Sequence, residues 1–391
     1  MKKKISILGS TGSIGLNTLS IIDKKKNFFD IILLSSNQNY ELICRQIKKY
    51  KPKFYIIKDF KTYNKVKEKF KNTNTEILNS FKFKNKKLKS EITISAIPGI
   101  IGLKPTINII KFTKKILIAN KEAVICGWSL LKRSATKYKT KIIPVDSEHF
   151  SISQLIKDVK MDDIEKIYLT ASGGPFLNLK ISQFKNINPR QALVHPKWKM
   201  GKKISIDSST LMNKLLELVE AQKLFGIPGH KLDILIHPES LIHAIVKFKN
   251  GLSKFLYHET SMVIPLANAI FDGKLNINLF FKKKKDLNTK YFPNLIFKPP
   301  NQKIFPIIKI IKRINEHPST PIIINSANEV LVEQFLQKNI PFTYISKIII
   351  TIMNDRNYRK YAIKNCKNIN QIYSIDYWAR ETTYKKLKIL K

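Results

Sequence analysis

The chain has 391 residues, 43% of them hydrophobic and including 22 Phe and 14 Tyr, which excludes a disordered chain and calls for about two or three domains. Lysine and arginine number 71 against 28 acidic residues, a formal charge of +43 that raises nucleic acid or an anionic membrane as partners. The basic residues are spread over the whole length with only short runs such as Lys282 to Lys285, and Ile and Asn are abundant too, the pattern of a composition drift rather than a selected binding face. In either case such a charge draws anionic small molecules inward, an effect that salt weakens. Cys44, Cys126 and Cys366 lie far apart without metal-ligand spacing and read as reduced, buried thiols of a cytoplasmic protein. The apolar stretch after the first lysines, Ile5 to Leu8, is too short for a signal peptide, and no segment reaches transmembrane length. A soluble, intracellular protein is expected.

Ile5-Ser-Ile-Leu8 predicts a strand that runs into Gly9-Ser-Thr-Gly12-Ser-Ile-Gly15 and then a helical pattern carrying Leu19 and Ile22. Strand, glycine turn and helix form the phosphate-cradling unit of dinucleotide-binding folds, where glycine lets the backbone approach a pyrophosphate at a helix N-terminus. The spacing is G-x-x-G-x-x-G rather than G-x-G-x-x-G, so the position right after a strand carries the reading; a plain glycine turn is the alternative. A second strand, Asp30 to Leu34, ends near Ser35-Ser-Asn-Gln-Asn39. No acidic residue stands there to hold a ribose 2′-hydroxyl, which points to NADP, although no basic residue offers itself to a 2′-phosphate either. Apolar runs follow at Phe54 to Ile57, Ile92 to Ile97, Ile116 to Ala119 and Ile142 to Val145, separated by amphipathic or turn-rich segments. That alternation predicts a parallel α/β sheet.

Two of these runs end in polar clusters, Asn120-Lys121-Glu122 and Asp146-Ser147-Glu148-His149. Ligands of open α/β sheets sit beyond the carboxyl ends of strands, so both clusters point into one crevice. Asp146 and Glu148, two apart around a turn, can reach one cation, and hard oxygen ligands favour Mg²⁺ or Mn²⁺. A helix N-cap, with Glu148 on the dipole, is the equal alternative.

Ile164 to Thr170 predicts a strand, followed by a tight Ala171-Ser-Gly-Gly-Pro-Phe176 turn presenting Ser172. After a short helix over Pro189 to Val194 comes His195-Pro-Lys-Trp198, with Gly201 behind it. This suggests a mobile lid whose indole stacks on a ligand; a Trp packed on its own domain is the plainer reading. Ser208 and Ser209 are expected at the mouth of the next helix, which turns Asn213, Lys214 and Glu217 to one side by i,i+3 and i,i+4 spacing. Hydroxyls and free N–H groups at a helix start, with a lysine one turn in, suit a phosphate, and a carboxylate a turn further suits a metal or a proton transfer. An ordinary amphipathic helix with Leu211, Leu215 and Leu218 in the core is the competing reading. Gly226 and Pro228 end that helix.

Leu232 to Ile236, Ala244 to Phe248 and Leu252 to Tyr257 predict strands, the last two a hairpin around Asn250-Gly251. His237 and His243 read as satisfied structural histidines. The stretch from about 275 to 300 looks like a linker, and the pattern beyond it is helical, with Asn325-Ser-Ala-Asn-Glu-Val330 opening an amphipathic run to Leu336.

Set together, G-S-T-G-S-I-G (9–15), L-I-A-N-K-E-A (117–123), P-V-D-S-E-H (144–149), T-A-S-G-G-P-F (170–176), H-P-x-W-x-M-G-x-K-I-S-x-D-S-S-T-L-M-N-K-x-L-E (195–217) and I-H-P-E-S-L-I-H (236–243) resemble the 1-deoxy-D-xylulose-5-phosphate reductoisomerase family, collinearly over nearly the full length. Ser326-Ala-Asn-Glu329 is similar to that family's C-terminal helical domain. The resemblance implies an α/β protein with a Rossmann-like NADPH-binding domain over 1–147 and a metal- and substrate-binding catalytic domain over 148–275, its lid near 195–201. A linker over 276–309 and a helical domain over 310–391 would complete it. It implies a homodimer that rearranges a ketose phosphate skeleton and reduces the product with NADPH, using one Mg²⁺ or Mn²⁺ per subunit.

Residue by residue, Asp146, Glu148 and Glu217 would hold the metal, and Ser172, Ser208, Asn213 and Lys214 the phosphate. Lys121, Ser147 and Glu148 would contact the reacting hydroxyls, and His195 and Trp198 would close as a lid. Thr11, Gly12, Ser13, Ile14, Asn39, Asn120, Glu122 and Gly201 would line the cofactor. The catalytic set implied is Lys121, Asp146, Glu148, His195 and Glu217. Two departures stand out. The family's A-G-x-N appears as Ser36-Asn37-Gln38-Asn39, which touches the 2′-phosphate contact, and its P-D-M-R appears as Thr260-Ser261-Met262-Val263, leaving Met262 a weak role. The residues also admit an NADP-dependent dehydrogenase that performs no rearrangement. The charge admits a non-catalytic nucleic-acid-binding protein, whose affinity would fall steeply with salt.

Overall fold

Seven short apolar strands build the first sheet: β1 (Lys3–Leu8), β2 (Phe29–Ser36), β3 (Phe54–Ile57), β4 (Glu76–Leu78), β5 (Ser90–Ser95), β6 (Thr113–Ile118) and β7 (Lys141–Pro144). In this computed structural model, which describes residues 2–82, 88–198, 200–280 and 294–389, every pair in that sheet is parallel and the order is β4-β3-β2-β1-β5-β6-β7. Strands buried on both faces need continuous apolar runs rather than alternation, and Ile5, Ile7 and Leu8 of β1 and all four residues of β3 are buried. The strand order reverses direction between β1 and β5, which makes the carboxyl ends of those two strands the switch point where ligands of such sheets bind.

The chain divides into two units. The first comprises Met1–Val124, Trp128–Asp146 and Ser261–Phe292; the second comprises Ile125–Gly127, Ser147–Thr260 and Pro293–Lys391. In the first unit the helices are α1 (Ser13–Lys24), α2 (Tyr40–Tyr50), α3 (Phe60–Lys69), α4 (Leu103–Ile110), α5 (Lys121–Tyr138, kinked at Gly127) and, much later in the chain, α10 (Val263–Phe271). α10 belongs there because it is apolar on most of its surface. Leu266, Ala267 and Ile270 join the buried cluster formed by β1, β2 and α1, and Phe271 sets its ring edge-on to Phe29. Lys115 secures the end of α10 through the Ala269 carbonyl at 2.9 Å and Asp272 at 2.8 Å.

The glycine turn after β1 is held from both sides. Gly9 has φ +84°, and a Cβ there would lie 2.6 Å from the Ala96 carbonyl oxygen, at the end of β5. Gly15 brings α1 so close that a Cβ would meet the Gly9 carbonyl at 2.4 Å. Behind the turn, Gln46 donates to the Ser10 carbonyl (2.9 Å) and accepts from the Tyr55 hydroxyl (2.8 Å), a buried network that keeps the loop in shape. Burial pushes the Tyr55 phenol up to about 12, so it stays a donor. Gly9→Ala is expected to destabilise the first unit by at least about 1 kcal/mol, because the side chain must hold a left-handed φ against a carbonyl. An unchanged thermal midpoint would contradict this packing.

The second unit has a four-stranded sheet, ordered β11-β10-β8-β9, from β8 (Ile164–Ala171), β9 (Leu232–Ile236), β10 (Ile242–Phe248) and β11 (Ser253–Tyr257). β10 and β11 form the antiparallel hairpin expected around Asn250-Gly251, while β8 and β9 run parallel. Its helices are α6 (Ser147–Leu155), α7 (Pro189–Leu193), α8 (Lys202–Ser209) and α9 (Met212–Phe225), then α11 (Thr320–Leu336), α12 (Thr343–Met353), α13 (Tyr358–Ala362) and α14 (Ile369–Ile389). α11 starts at Thr320, five residues before the Asn325 expected to open it, with Pro321 in its first turn, where the missing N–H costs nothing. Tyr361 stacks on Trp378 at 4.3 Å within the C-terminal helices. Of the stretch expected to be a linker, 281–293 lie outside the described residues; Ile277–Phe280 forms a 3₁₀ turn, and Lys298 pairs with Ile236. Among the described residues no helix is long and apolar enough to cross a membrane, and all three cysteines are buried thiols.

Candidate active site

Four segments of the second unit converge on one place: the first turn of α6, the turn after β8, the end of α8 and the first turns of α9. Glu148 sits in the first turn of α6 and Glu217 one turn into α9. Their carboxylates offer oxygens within 4.8 Å of each other. The Lys214 ammonium bridges them, 2.6 Å from Glu148 Oε1 and 2.6 Å from Glu217 Oε2. Lys214 is 4% exposed and Glu217 1% exposed, so these are charges held out of water. Burial works to lower the lysine's pKa, but the two facing carboxylates outweigh it and the ammonium stands raised above its ordinary value. Asn213 donates to Glu217 Oε1, and Ser147 donates to Glu148 Oε2 at 2.6 Å, so both carboxylates are oriented from a second direction.

His149, absent from the sequence-derived site, ties the two helices together. Its Nε2 lies 3.0 Å from the Glu217 backbone carbonyl and its Nδ1 3.4 Å from Glu220, all three groups buried. The signal was there in the i,i+3 spacing of Glu217 and Glu220 opposite the histidine of D-S-E-H, but it needs the packing of α6 on α9 to be read. The imidazoles of the second sheet are structural as expected. His237 sits between the Ile296 carbonyl (3.0 Å) and the Leu241 N–H (3.2 Å), and His243 stacks on His258 at 3.9 Å.

After β8, Gly173 and Gly174 turn the chain at φ +81° and +65°, and Gly174 lies so near α8 that a Cβ would sit 3.0 Å from Ser209 Cα. Ser172 Oγ is 2.9 Å from His195 Nε2 and accepts from the Gly174 N–H at 3.1 Å. His195 Nδ1 accepts from the N–H groups of Lys197 (3.1 Å) and Trp198 (2.9 Å), which fixes the tautomer with the proton on Nε2, donated to Ser172. The serine's own proton is then available to a ligand. The imidazole pKa falls from its ordinary 6.5 to about 4, first because burial disfavours the charged ring and second because the Lys214 ammonium repels it. An unfolded histidine titrates near 6.5, so between about 6.5 and 4 the unfolded chain takes up a proton that the folded one refuses, and this residue's contribution to stability is lost as pH falls through that window. Ring resonances followed by NMR are expected to stay those of the neutral Nε2–H form down to about pH 4; a midpoint near 6.5 would contradict the placement. Trp198 rests edge-on against His243 at 5.8 Å, on its own unit.

The two serines differ from expectation. Ser208 and Ser209 end α8 rather than open α9, because Leu211 takes a left-handed conformation (φ +67°) and breaks the pattern between two helices. Ser209 is spent on the Ile206 carbonyl at 2.7 Å. Ser208 is half-buried beside Gly174. The phosphate-binding N–H argument therefore does not apply to these hydroxyls.

In the first unit, Lys121 opens α5 and holds Asp146 at 3.1 Å. Asn120 caps that helix at the Ala123 N–H (2.9 Å) and donates to the carbonyls of Ile97 and Gly99, pinning the loop after β5. Glu122 is buried beside it. Gly12 caps α1, whose first turn has neither a side-chain cap nor an acidic residue, and Thr11, Ser13 and Ile14 surround this positive end. Asn39 caps α2 through the Leu42 N–H at 3.2 Å. Met262 packs against the core of the first unit. Gly201, exposed, is the N-cap of α8 in the second unit.

A doubly wound sheet with a glycine loop at its switch point is the frame of a dinucleotide-binding protein, and the second unit adds a buried acid–lysine centre. Family models for 1-deoxy-D-xylulose 5-phosphate reductoisomerase match residues 5–127, those for its C-terminal domain match 142–225, and those for the DXP reductoisomerase C-terminal domain match 259–382. The chain is 46% identical over 382 residues to the 1-deoxy-D-xylulose 5-phosphate reductoisomerase of Pelagibacter ubique, covering 96% of this chain and 97% of that one. It is 39% identical to that of Wolbachia pipientis from Culex pipiens, covering 97% and 96%. A crystal structure of DOX-P reductoisomerase with NADPH, fosmidomycin and magnesium superposes with a TM-score of 0.91 at 29% identity, covering 99% of both chains. The enzyme from Zymomonas mobilis with NADPH gives 0.87 at 30%, again over 99% of both chains. The chain belongs to the 1-deoxy-D-xylulose 5-phosphate reductoisomerase family.

Proposed function

We propose that this chain carries out the NADPH- and divalent-metal-dependent rearrangement and reduction of 1-deoxy-D-xylulose 5-phosphate to 2-C-methyl-D-erythritol 4-phosphate, the step that supplies isoprenoid precursors without mevalonate. The observation that carries the reading is the Lys214 ammonium buried between Glu148 and Glu217. Two carboxylates withdrawn from water demand a cation between them, and the lysine stands in for one. Asp146 lies two residues before Glu148, so the backbone keeps its carboxylate within reach of the same ion. An all-oxygen donor set of this kind fits Mg²⁺ or Mn²⁺, and magnesium is present in the related DOX-P reductoisomerase structure.

When bound, the ion supplies a Lewis acid that polarises the substrate carbonyl and steadies the oxyanion of the carbon migration. The chain's own residues bind and orient. With Asp146, Glu148 and Glu217 holding the ion, Lys214 would turn to the substrate phosphate with Ser172, Ser208 and Asn213. His195, neutral and donating from Nε2, aims the Ser172 hydroxyl at that phosphate. Trp198 closes with it to exclude water. Lys121, Ser147 and Glu148 meet the reacting hydroxyls. Residues 1–147 would carry NADPH, its pyrophosphate on the uncapped start of α1 (Thr11, Gly12, Ser13, Ile14) and the rest along Asn39, Asn120, Glu122 and Gly201. Residues 148–275 would carry metal and substrate, except for α10, which packs in the first unit, with 276–309 the linker and 310–391 the helical domain, in a homodimeric, cytoplasmic enzyme.

The deciding experiment mixes the protein with the ketose phosphate, NADPH and Mn²⁺. NADPH oxidation yielding a branched methyl-tetritol phosphate supports the reading. An unbranched alcohol, or oxidation indifferent to chelation, contradicts it. NADH run in parallel tests the Asn37-Gln38 departure.

A further inference from the structure

Helix α8 carries Ser208 on a short element whose buried side is Ser205, Ile206, Asp207 and Ser209. It is two turns long, starts at the exposed Gly201 with no side-chain cap, and is followed after Thr210 by the left-handed Leu211, buried and without glycine's freedom. A bulky residue persists there only when its surroundings over-determine it. Asp207, the residue before Ser208, ties this helix to a distant one. Its side chain is 1% exposed; Oδ2 lies 2.8 Å from Lys203 on the same helix, and Oδ1 accepts from the Asn328 amide at 2.7 Å. Asn328, 0% exposed, stands on α11, 121 residues along the chain.

The i,i+4 pair with Lys203 gives α8 only a small stabilisation. In the last turn of α8 the carboxylate opposes the helix dipole, and its burial carries a desolvation cost that an apolar residue would avoid. What it provides is direction, since one charged acceptor can be met only from where Asn328 and Lys203 stand.

We infer that Asp207 and Asn328 are a positioning pair through which the C-terminal helices set the orientation of Ser208, and with it the affinity for the substrate phosphate. This rests on the reading of Ser208 as a phosphate contact. The pair touches no reactant, so its loss is read in substrate KM while kcat and the KM for NADPH hold.

The test is a cycle of variants assayed in the full-length enzyme. Asn328→Ala removes one charge-assisted bond and is expected to raise the KM for the ketose phosphate about tenfold, with kcat changing less than about threefold. Asn328→Asp sets two carboxylates face to face and is expected to raise it further. Pairing it with Asp207→Asn restores an amide-to-carboxylate bond and should bring KM back to within about fivefold of the wild type. Thermal midpoints accompany each assay. If Asn328→Asp does not fold, Asn328→Ala and Asp207→Ala decide alone, both being required to raise KM. A double variant no better than Asn328→Asp, or an Asn328→Ala enzyme with unchanged KM, overturns the inference. Ser208→Ala separates the two readings. A raised KM there with unmoved Asn328 variants defeats the positioning pair only, whereas an unchanged KM defeats the phosphate contact and the pair together.

Discussion

Glu217→Gln is expected to lower kcat by about 10³-fold, roughly 4 kcal/mol of barrier, while leaving the fold intact. The substitution keeps the volume, the acceptor that Asn213 bonds and the backbone carbonyl that His149 bonds. It removes the negative charge at the centre of the acidic pair and, with it, the second acceptor that Lys214 bonds at 2.6 Å, while Glu148 still holds the ammonium. Dichroism and the thermal midpoint serve as controls, and turnover with saturating NADPH and Mn²⁺ is the measurement. A rate within tenfold of the wild type would take Glu217 out of the metal set.

The second large effect concerns stability without metal. Lys214→Met leaves Glu148 and Glu217 facing each other, with the buried cation that bridges them at 2.6 Å on either side gone. Removing one partner of a buried ionic cluster costs about 3–5 kcal/mol, so the metal-free variant should unfold at markedly lower denaturant than the wild type. Mn²⁺ should restore most of the loss, because an ion that binds only the folded state stabilises it by mass action. The wild type, whose lysine already occupies the position, should gain less from the same addition. A metal-free variant as stable as the wild type would mean that the carboxylates carry no such strain. Turnover should fall as well, since the phosphate loses its ammonium whether or not the metal returns.

Much of this arrangement is legible in the residues. Phe54–Ile57 appears as a strand with its observed bounds because a strand flanked by others keeps apolar side chains on both faces, and Leu232–Ile236, at the edge of its sheet, because buried apolar residues recur at every second position. The shared face of Asn213, Lys214 and Glu217 follows from helical spacing alone, and the bonds among them are those the spacing allows. The bend at Leu211 does not follow. Leucine in an apolar, helix-like run carries no mark of positive φ, so the hydroxyls before it look like a helix start when they are a helix end. The place of α10 was hidden for another reason. Its apolar surface is answered by Phe29 and the strands more than two hundred residues earlier, a match that no local pattern contains. Asp207 and Asn328 are likewise joined only by the fold. Such pairings depend on which surfaces meet, and local periodicity describes each surface without its partner.

The central claim is that Asp146, Glu148 and Glu217 bind one divalent ion in a place that Lys214 otherwise fills. Anomalous diffraction from crystals grown with Mn²⁺ tests it most directly. The account predicts a single strong peak per chain, within about 2.5 Å of oxygens from all three carboxylates, and a Lys214 side chain turned away from Glu148 and Glu217. A peak elsewhere, or none at this place while the lysine keeps both carboxylates in a catalytically active crystal, would contradict it.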